Sequence, residues 1–279
     1  MEPINLALPK GRMAEGVLRL MEEAGFKVQA DGRNYRPLCA DPRFRLKLLK
    51  PQDIVRMVEL GRHDLAFAGH DWVVELGARV DELLDTGLDR VRIVAAAPRE
   101  AVAGLKNRPI VVASEYEAIT RAWLDREGYD YLFVRSHGAT EVFPPEDADM
   151  IVDNTATGRT LEENGLQIVG DLLTSSTRVI ASPTLGRREE VEEFTLLLRS
   201  VLDARKRVML EMNVSQASLD AVLAILPCMR MPTVMPLAGE GGFAVKSAVL
   251  KKEVARLIPV LKAAGATDIL EFPFSKVVS

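Results

Sequence analysis

Short apolar runs alternate with amphipathic stretches along the first two-thirds of the chain. That rhythm predicts a parallel sheet with helices on its faces. "INLAL" (4–8) reads as a strand, and "PKG" turns it into a helix over about 12–24 that Gly25 closes. "FRLKLLK" (44–50) alternates like a strand, and "PQDIVRMVELG" (51–61) follows as a helix with proline in its first turn. A strand at 63–69 and a helix at 71–77 repeat the unit. Further strands are predicted at 91–98, 109–115, 129–135 and 147–154, with a helix at 116–127. The stretch 186–210 carries a long amphipathic helix, with Val191, Phe194, Leu197, Leu198 and Val201 on its apolar stripe.

The texture changes after about residue 206. A strand (207–214), a helix (215–227, Ser215 as N-cap), a strand near "TVMPLA", a strand (241–250), a helix (251–266) and a closing strand (267–278) give the order βαββαβ of a ferredoxin-like module.

Charge and cysteine content narrow the function classes. The 279 residues carry 36 basic and 40 acidic side chains, a formal charge of −4, which argues against sequence-independent binding to nucleic acid. Cys39 and Cys228 lie far apart without zinc spacing, as free thiols of a reducing compartment would. No apolar run approaches the roughly 20 residues of a membrane span. The chain enters structure at once, with no basic leader, so a cytoplasmic, membrane-free protein is expected.

The most informative stretch is "DMIVDNTATGRTLEENGL" (149–166). An apolar strand delivers Asp153 and Asn154, then Thr155, Ala156, Thr157, Gly158, Arg159 and Thr160 form a small, hydroxyl-rich turn, and a helix begins near Leu161. Such a turn can cradle a phosphate, because Gly158 admits close backbone approach and the threonines and helix amides donate. A carboxylate just before it suits sugar hydroxyls or magnesium instead. A threonine-capped strand–turn–helix with no ligand is the bland alternative.

The full string "VDNTATGRTLEENGL" resembles the phosphoribosyl-pyrophosphate (PRPP) loop of the ATP phosphoribosyltransferase family, through Asp153, Thr157, Gly158, Thr160, Leu161, Asn164 and Leu166. The resemblance continues in order through "LALPKGR" (6–12), "LLKPQDI" (48–54), "FAGHDWV" (67–73), "ASEY" (113–116) and "SHGATE" (136–141). "MPTVMPLA" and "LKAAGATDILEFPFSKVV" resemble the C-terminal regulatory domain of the family's long form. Lys50, Ala68 and Asn154 depart from the family pattern, which has arginine, threonine and an apolar residue there.

The resemblance implies a two-lobed, periplasmic-binding-protein-like catalytic part: lobe one at 1–95 and 170–205, lobe two at 96–169, then a regulatory domain at 206–279. It implies transfer of phosphoribose from PRPP to N1 of ATP with release of pyrophosphate, the first step of histidine biosynthesis. Magnesium, a homo-oligomer (dimer or hexamer) and inhibition by histidine come with it. On that reading the loop 153–160 holds PRPP, with Asp153 and Glu141 on ribose hydroxyls and Asp153 near magnesium. Lys10, Gly11, Arg12, Lys50, Asp71 and Glu115 meet ATP or pyrophosphate, and Lys10 joins Asp153 and Glu141 in catalysis. Asn213, Thr233 and Ala266 would read histidine. His70 and His137 lie in turns beside these motifs, where a lone histidine is usually structural. A paralogue with another acceptor and a non-enzymatic two-lobed binding protein remain the alternatives.

Overall fold

The computed structural model describes residues 2–29, 34–239 and 241–278. The chain divides into two compact units, Met1–Arg19 with Phe26–Arg188, and Leu20–Gly25 with Glu189–Ser279. Along the first unit the chain runs β1 (Ile4–Pro9), α1 (Arg12–Ala24, which ends in the second unit), β2 (Val28–Gln29), β3 (Leu38–Cys39), β4 (Phe44–Leu49), α2 (Pro51–Glu59), β5 (Leu65–Gly69), α3 (His70–Leu76) and β6 (Asp81–Asp85). It continues through β7 (Val91–Pro98), β8 (Ile110–Ser114), α4 (Glu117–Glu127), β9 (Tyr131–Arg135), β10 (Met150–Thr155), α5 (Arg159–Glu163), β11 (Leu166–Ser175) and β12 (Thr177–Ala181).

Two five-stranded sheets result, ordered β4-β1-β5-β12-β6 and β11-β7-β10-β8-β9. Each is a lobe, and the expected two-lobed α/β architecture is present. In the first sheet β4, β1 and β5 are parallel, and β12 returns antiparallel to β5. In the second, β10, β8 and β9 are parallel, while β7 runs antiparallel to both β10 and β11. The chain therefore crosses between lobes twice, at 86–90 and at Ser176. Strands β7 and β11 pair along their whole length inside the second sheet, including 91–95 and 170–175, which the family resemblance puts in lobe one.

One continuous apolar core joins the lobes. Ala7, Ile54, Val55 and Ala66 of the first sheet side meet Ile93, Val112, Met150 and Val152 of the second through Trp72, Tyr116 and Trp123. Gly170 shows how tight this is: a Cβ there would fall on the Trp123 indole.

The second unit holds α6 (Arg188–Arg205), β13 (Arg207–Ser215), α7 (Leu219–Ile225), β14 (Thr233–Pro236), β15 (Gly242–Leu250), α8 (Val254–Ala263) and β16 (Ala266–Pro273). Its sheet is ordered β14-β15-β13-β16, with every neighbouring pair antiparallel. That is the βαββαβ ferredoxin-like arrangement the pattern predicts. Met212, Val214, Val245, Leu257 and Leu261 fill its core. No helix among the described residues is long and apolar enough to cross a membrane.

Candidate active site

The carboxyl ends of the parallel strands meet at a cleft between the two lobes, the place where open α/β sheets put their ligands. In lobe one, Pro9 pairs with Leu49 in register, and the Lys10 amide donates to the Leu49 carbonyl at 3.0 Å. Lys10 and Lys50 therefore leave the sheet side by side. Gly11, with φ +74°, turns the chain into α1 and brings Arg12 to the cleft wall. In lobe two, Val152 pairs with Ser114, and the Ser114 hydroxyl donates to the Val152 carbonyl at 2.6 Å. The next residue on each strand is acidic, so register alone sets Asp153 beside Glu115. At these strand ends lobe one thus offers Lys10, Arg12 and Lys50, and lobe two Glu115 and Asp153.

Two adjoining cavities make up the cleft, with about 200 and 440 Å³ of free space. Gln52, Trp72 and Glu115 line both. Lys10, Arg12, Asp71, Tyr116 and Asn154 line the first; Lys50, Arg135 and His137 line the second. Lys10 Nζ sits 3.1 Å from the centroid of the Tyr35 ring, a cation–π contact that holds the ammonium in place.

Asp153 is the electrostatic focus. Its carboxyl is pushed from an ordinary 3.8 up to about 6, first by burial, then by the negative charges of Glu141 and Glu115. Hydrogen bonds from the Asn154 amide (2.6 Å) and the Thr140 hydroxyl oppose this without cancelling it. Glu141 arrives on a single 3₁₀ turn, Thr140–Val142, entered through Ala139 at φ +49°. Asn154 Nδ2 bridges Asp153 Oδ1 (3.1 Å) and the Tyr116 hydroxyl (3.4 Å), which gives its departure from the family pattern a local role.

The turn beyond β10 is closed internally. The Thr155 hydroxyl accepts from the Gly158 amide at 2.8 Å, and Thr157 Oγ1 from the Arg159 amide at 3.4 Å. Gly158 has φ +86°, a left-handed backbone that glycine adopts freely. Arg159 pairs with Glu163 at 2.8 Å, and Thr160 is exposed. The cavity lining reaches Asn154, from which this turn, including Ala156, continues.

Asp71 is buried and fully engaged. It accepts from Ser175 Oγ at 2.6 Å and from the Tyr116 hydroxyl at 2.8 Å, and Trp72 packs on the Tyr116 ring at 4.9 Å. Burial and the Asp71 charge push the Tyr116 phenol well above its ordinary value. Asp71 therefore ties lobe one to the end of β11 and the N-cap of α4 in lobe two, a tighter role than a free phosphate-facing carboxylate. Sequence reasoning missed its companion Glu75, whose carboxylate leaves lobe one and accepts from the Ala118 (3.0 Å) and Ile119 (3.0 Å) amides of α4. These are orphan donors of a helix N-terminus, capped from the other lobe. A glutamate inside an amphipathic helix carries no mark of this in the sequence. Ala68 is wholly buried on β5, so the hydroxyl the family pattern has there is absent from a packed position. His70 is held by Glu82 at 3.1 Å.

In the C-terminal sheet, Asn213 Nδ2 donates to Asp268 Oδ2 at 2.9 Å, with Asp268 at φ +50°. Strand alternation puts Asn213 and Thr233 on the face opposite the helices. Ala266 pairs with Val214 and is buried in the core, so only its backbone is offered. Asp268, the partner of Asn213, was not anticipated.

The comparisons with known proteins point to one family. The family model described as HisG, ATP phosphoribosyltransferase, matches residues 50–200, and that of the HisG C-terminal domain matches 204–276. An ATP phosphoribosyltransferase of Chlorobium phaeovibrioides is 36% identical, covering 99% of this chain and 97% of its own length. One of Pelotomaculum thermopropionicum is 35% identical, covering 99% of each. Among solved structures, the ATP phosphoribosyl transferase (HisG:HisZ) complex from Thermotoga maritima superposes with a TM-score of 0.64 at 26% identity, over 72% of this chain and 98% of that one. With matches to both family models and relatives aligned end to end, this chain belongs to the ATP phosphoribosyltransferase family, in the form that carries the C-terminal domain.

Proposed function

We propose that this chain transfers the phosphoribosyl group of PRPP to N1 of ATP and releases pyrophosphate, the opening step of histidine biosynthesis. The observation that carries the reading is that Lys10, Arg12 and Lys50 line the same adjoining cavities as Glu115, which strand register sets beside Asp153. Adenine N1 brings its own lone pair, so the protein needs no strong general base. As the C1–oxygen bond breaks, its electrons leave with pyrophosphate and the ribose becomes cationic. In this reading Asp153 and Glu141 hold ribose hydroxyls and stabilise that charge, while Lys10, Arg12 and Lys50 neutralise phosphate oxygens. The Thr155–Thr160 turn receives the 5-phosphate.

Magnesium fits as an ion carried in by the phosphates. Asp153 with Glu141 or Glu115 offers it one or two hard oxygen ligands, as magnesium sites in phosphate chemistry commonly do. It would screen the phosphates against one another. The C-terminal domain would bind histidine on the Asn213–Thr233 face, and the chain would work in the cytoplasm as a homo-oligomer.

The test is incubation with ATP, PRPP and magnesium, watching for phosphoribosyl-ATP and pyrophosphate. Turnover with a different nucleobase acceptor and none with ATP would overturn the assignment. Histidine titrated against the full chain should inhibit, and Asn213→Ala should weaken that inhibition.

A further inference from the structure

A second concentration of positive charge lies outside the cleft, toward the amino ends of the lobe-one strands. Arg45 and Lys47 stand on the edge strand β4, Arg62 and His63 lead into β5, and Arg36 comes from the segment beside β4. With Asn5 they line a cavity of about 200 Å³. Among the described residues, the Arg36, Arg45, Lys47 and Arg62 side chains have no carboxylate partner. The nearby Asp64 carboxylate accepts from the Asn5 amide (2.7 Å) and Asn5 Nδ2 (3.3 Å) and makes no ion pair with these four side chains. Four cations without an ion-pair partner around one concavity repel one another, and an anion relieves that repulsion.

His63 adds an independent observation. The side chain is 8% exposed, and its Nδ1 is buried without a hydrogen-bond partner. Buried polar atoms are nearly always paired, so this unpaired nitrogen beside a cationic cavity marks a polar edge that the protein leaves unsatisfied. Burial and the Lys47 charge hold the ring toward its neutral form, while Asp64 and the Asn5 backbone pull the other way.

We propose that this cavity is a second anion site, separate from the catalytic cleft, that takes a compact phosphate anion of the orthophosphate or pyrophosphate class. Arginine guanidinium groups suit phosphate oxygens in particular. The volume lies below the roughly 300–1,000 Å³ of sites for drug-sized ligands, and among the described residues no phenylalanine, tyrosine or tryptophan lines it for a nucleobase to stack upon. A small phosphate fits these limits and a nucleotide does not.

The experiment uses the full chain labelled with ¹⁵N in its three histidines, His63, His70 and His137. Ring nitrogen shifts are followed against pH with orthophosphate, with pyrophosphate, and with sodium chloride at matched ionic strength. Bound anion should raise the His63 midpoint by about one pH unit, since an opposite charge favours imidazolium. The rise should vanish in Arg45→Ala and in Arg62→Ala, both exposed positions outside the cleft, with turnover unchanged. A rise with pyrophosphate alone assigns a two-phosphoryl ligand; an equal rise with orthophosphate assigns a single one. A His63 curve indifferent to both phosphates overturns the site. So does an equal rise in sodium chloride, or one that survives in both arginine variants.

Discussion

Asp153→Asn should stabilise the unliganded protein at neutral pH while abolishing turnover. The folded protein holds the Asp153 proton up to about pH 6, whereas the unfolded chain releases it near the ordinary 3.8. Between those values the native state binds more protons than the unfolded state, so stability falls as pH rises through the window. At 1.36 kcal/mol per pH unit the full effect is roughly 3 kcal/mol. Asp153 is only part-buried, and solvent screening lowers the expectation to about 1–2 kcal/mol. Asparagine keeps a carbonyl to accept from the Asn154 amide, so the turn survives without the buried charge. The assay is urea denaturation of both proteins from pH 4.5 to 8. Wild type should weaken relative to the variant as pH rises, and the difference should level off above about pH 7. Asp41, Asp85, Asp149 and Glu117 have lowered values and favour the folded state more as pH rises, but both proteins share them and they cancel in the difference. A variant no more stable than wild type at pH 7.5, or a difference flat across the range, would refute the reasoning.

Other substitutions test separate parts of the cleft. Glu75→Gln removes one of the two acceptors that cap α4 from the opposite lobe, and should cost about 1–3 kcal/mol in denaturant melts while raising KM for both substrates; an unchanged melt would show that the cap is not needed. Gly158→Val forces a β-branched residue to φ +86°, at a cost of about 1–2 kcal/mol per left-handed residue, although its Cβ alone would make only ordinary contact with Ile168 at 3.5 Å. PRPP affinity by calorimetry should fall at least tenfold, and unchanged affinity would mean that the turn does not hold the phosphate. Tyr116→Phe leaves Asp71 with Ser175 alone and should destabilise by about 1–2 kcal/mol, read as a lower urea midpoint.

Periodicity and turn chemistry alone placed most of the secondary structure. The strand at 91–98, the helix at 12–24 and the C-terminal βαββαβ order are all present, because each rests on local signals: alternating apolar residues, a glycine stop, a serine cap. Besides the two-residue β2 and β3, the strands β6, β11 and β12 escaped notice. They are mixed in polarity and half-exposed in part, and β11 accommodates two register irregularities against β7, so no clean period marks them. Their pairing decides where the lobes divide, and pairing is a long-range property.

The candidate site divides along the same line. The sequence alone set the composition of the 153–160 turn and of the basic 10–12 loop, runs of hydroxyls, glycine and charge that suit an anion. Only the tertiary structure decided that Glu115 stands next to Asp153, because parallel register between β8 and β10 brings together residues nearly forty positions apart. Likewise only folding turned Asp71 and Glu75 from helix-face acids into clamps between lobes. Their partners Ser175, Tyr116 and α4 lie in the other lobe, and a carboxylate's role is set by the donors around it, which no local pattern encodes.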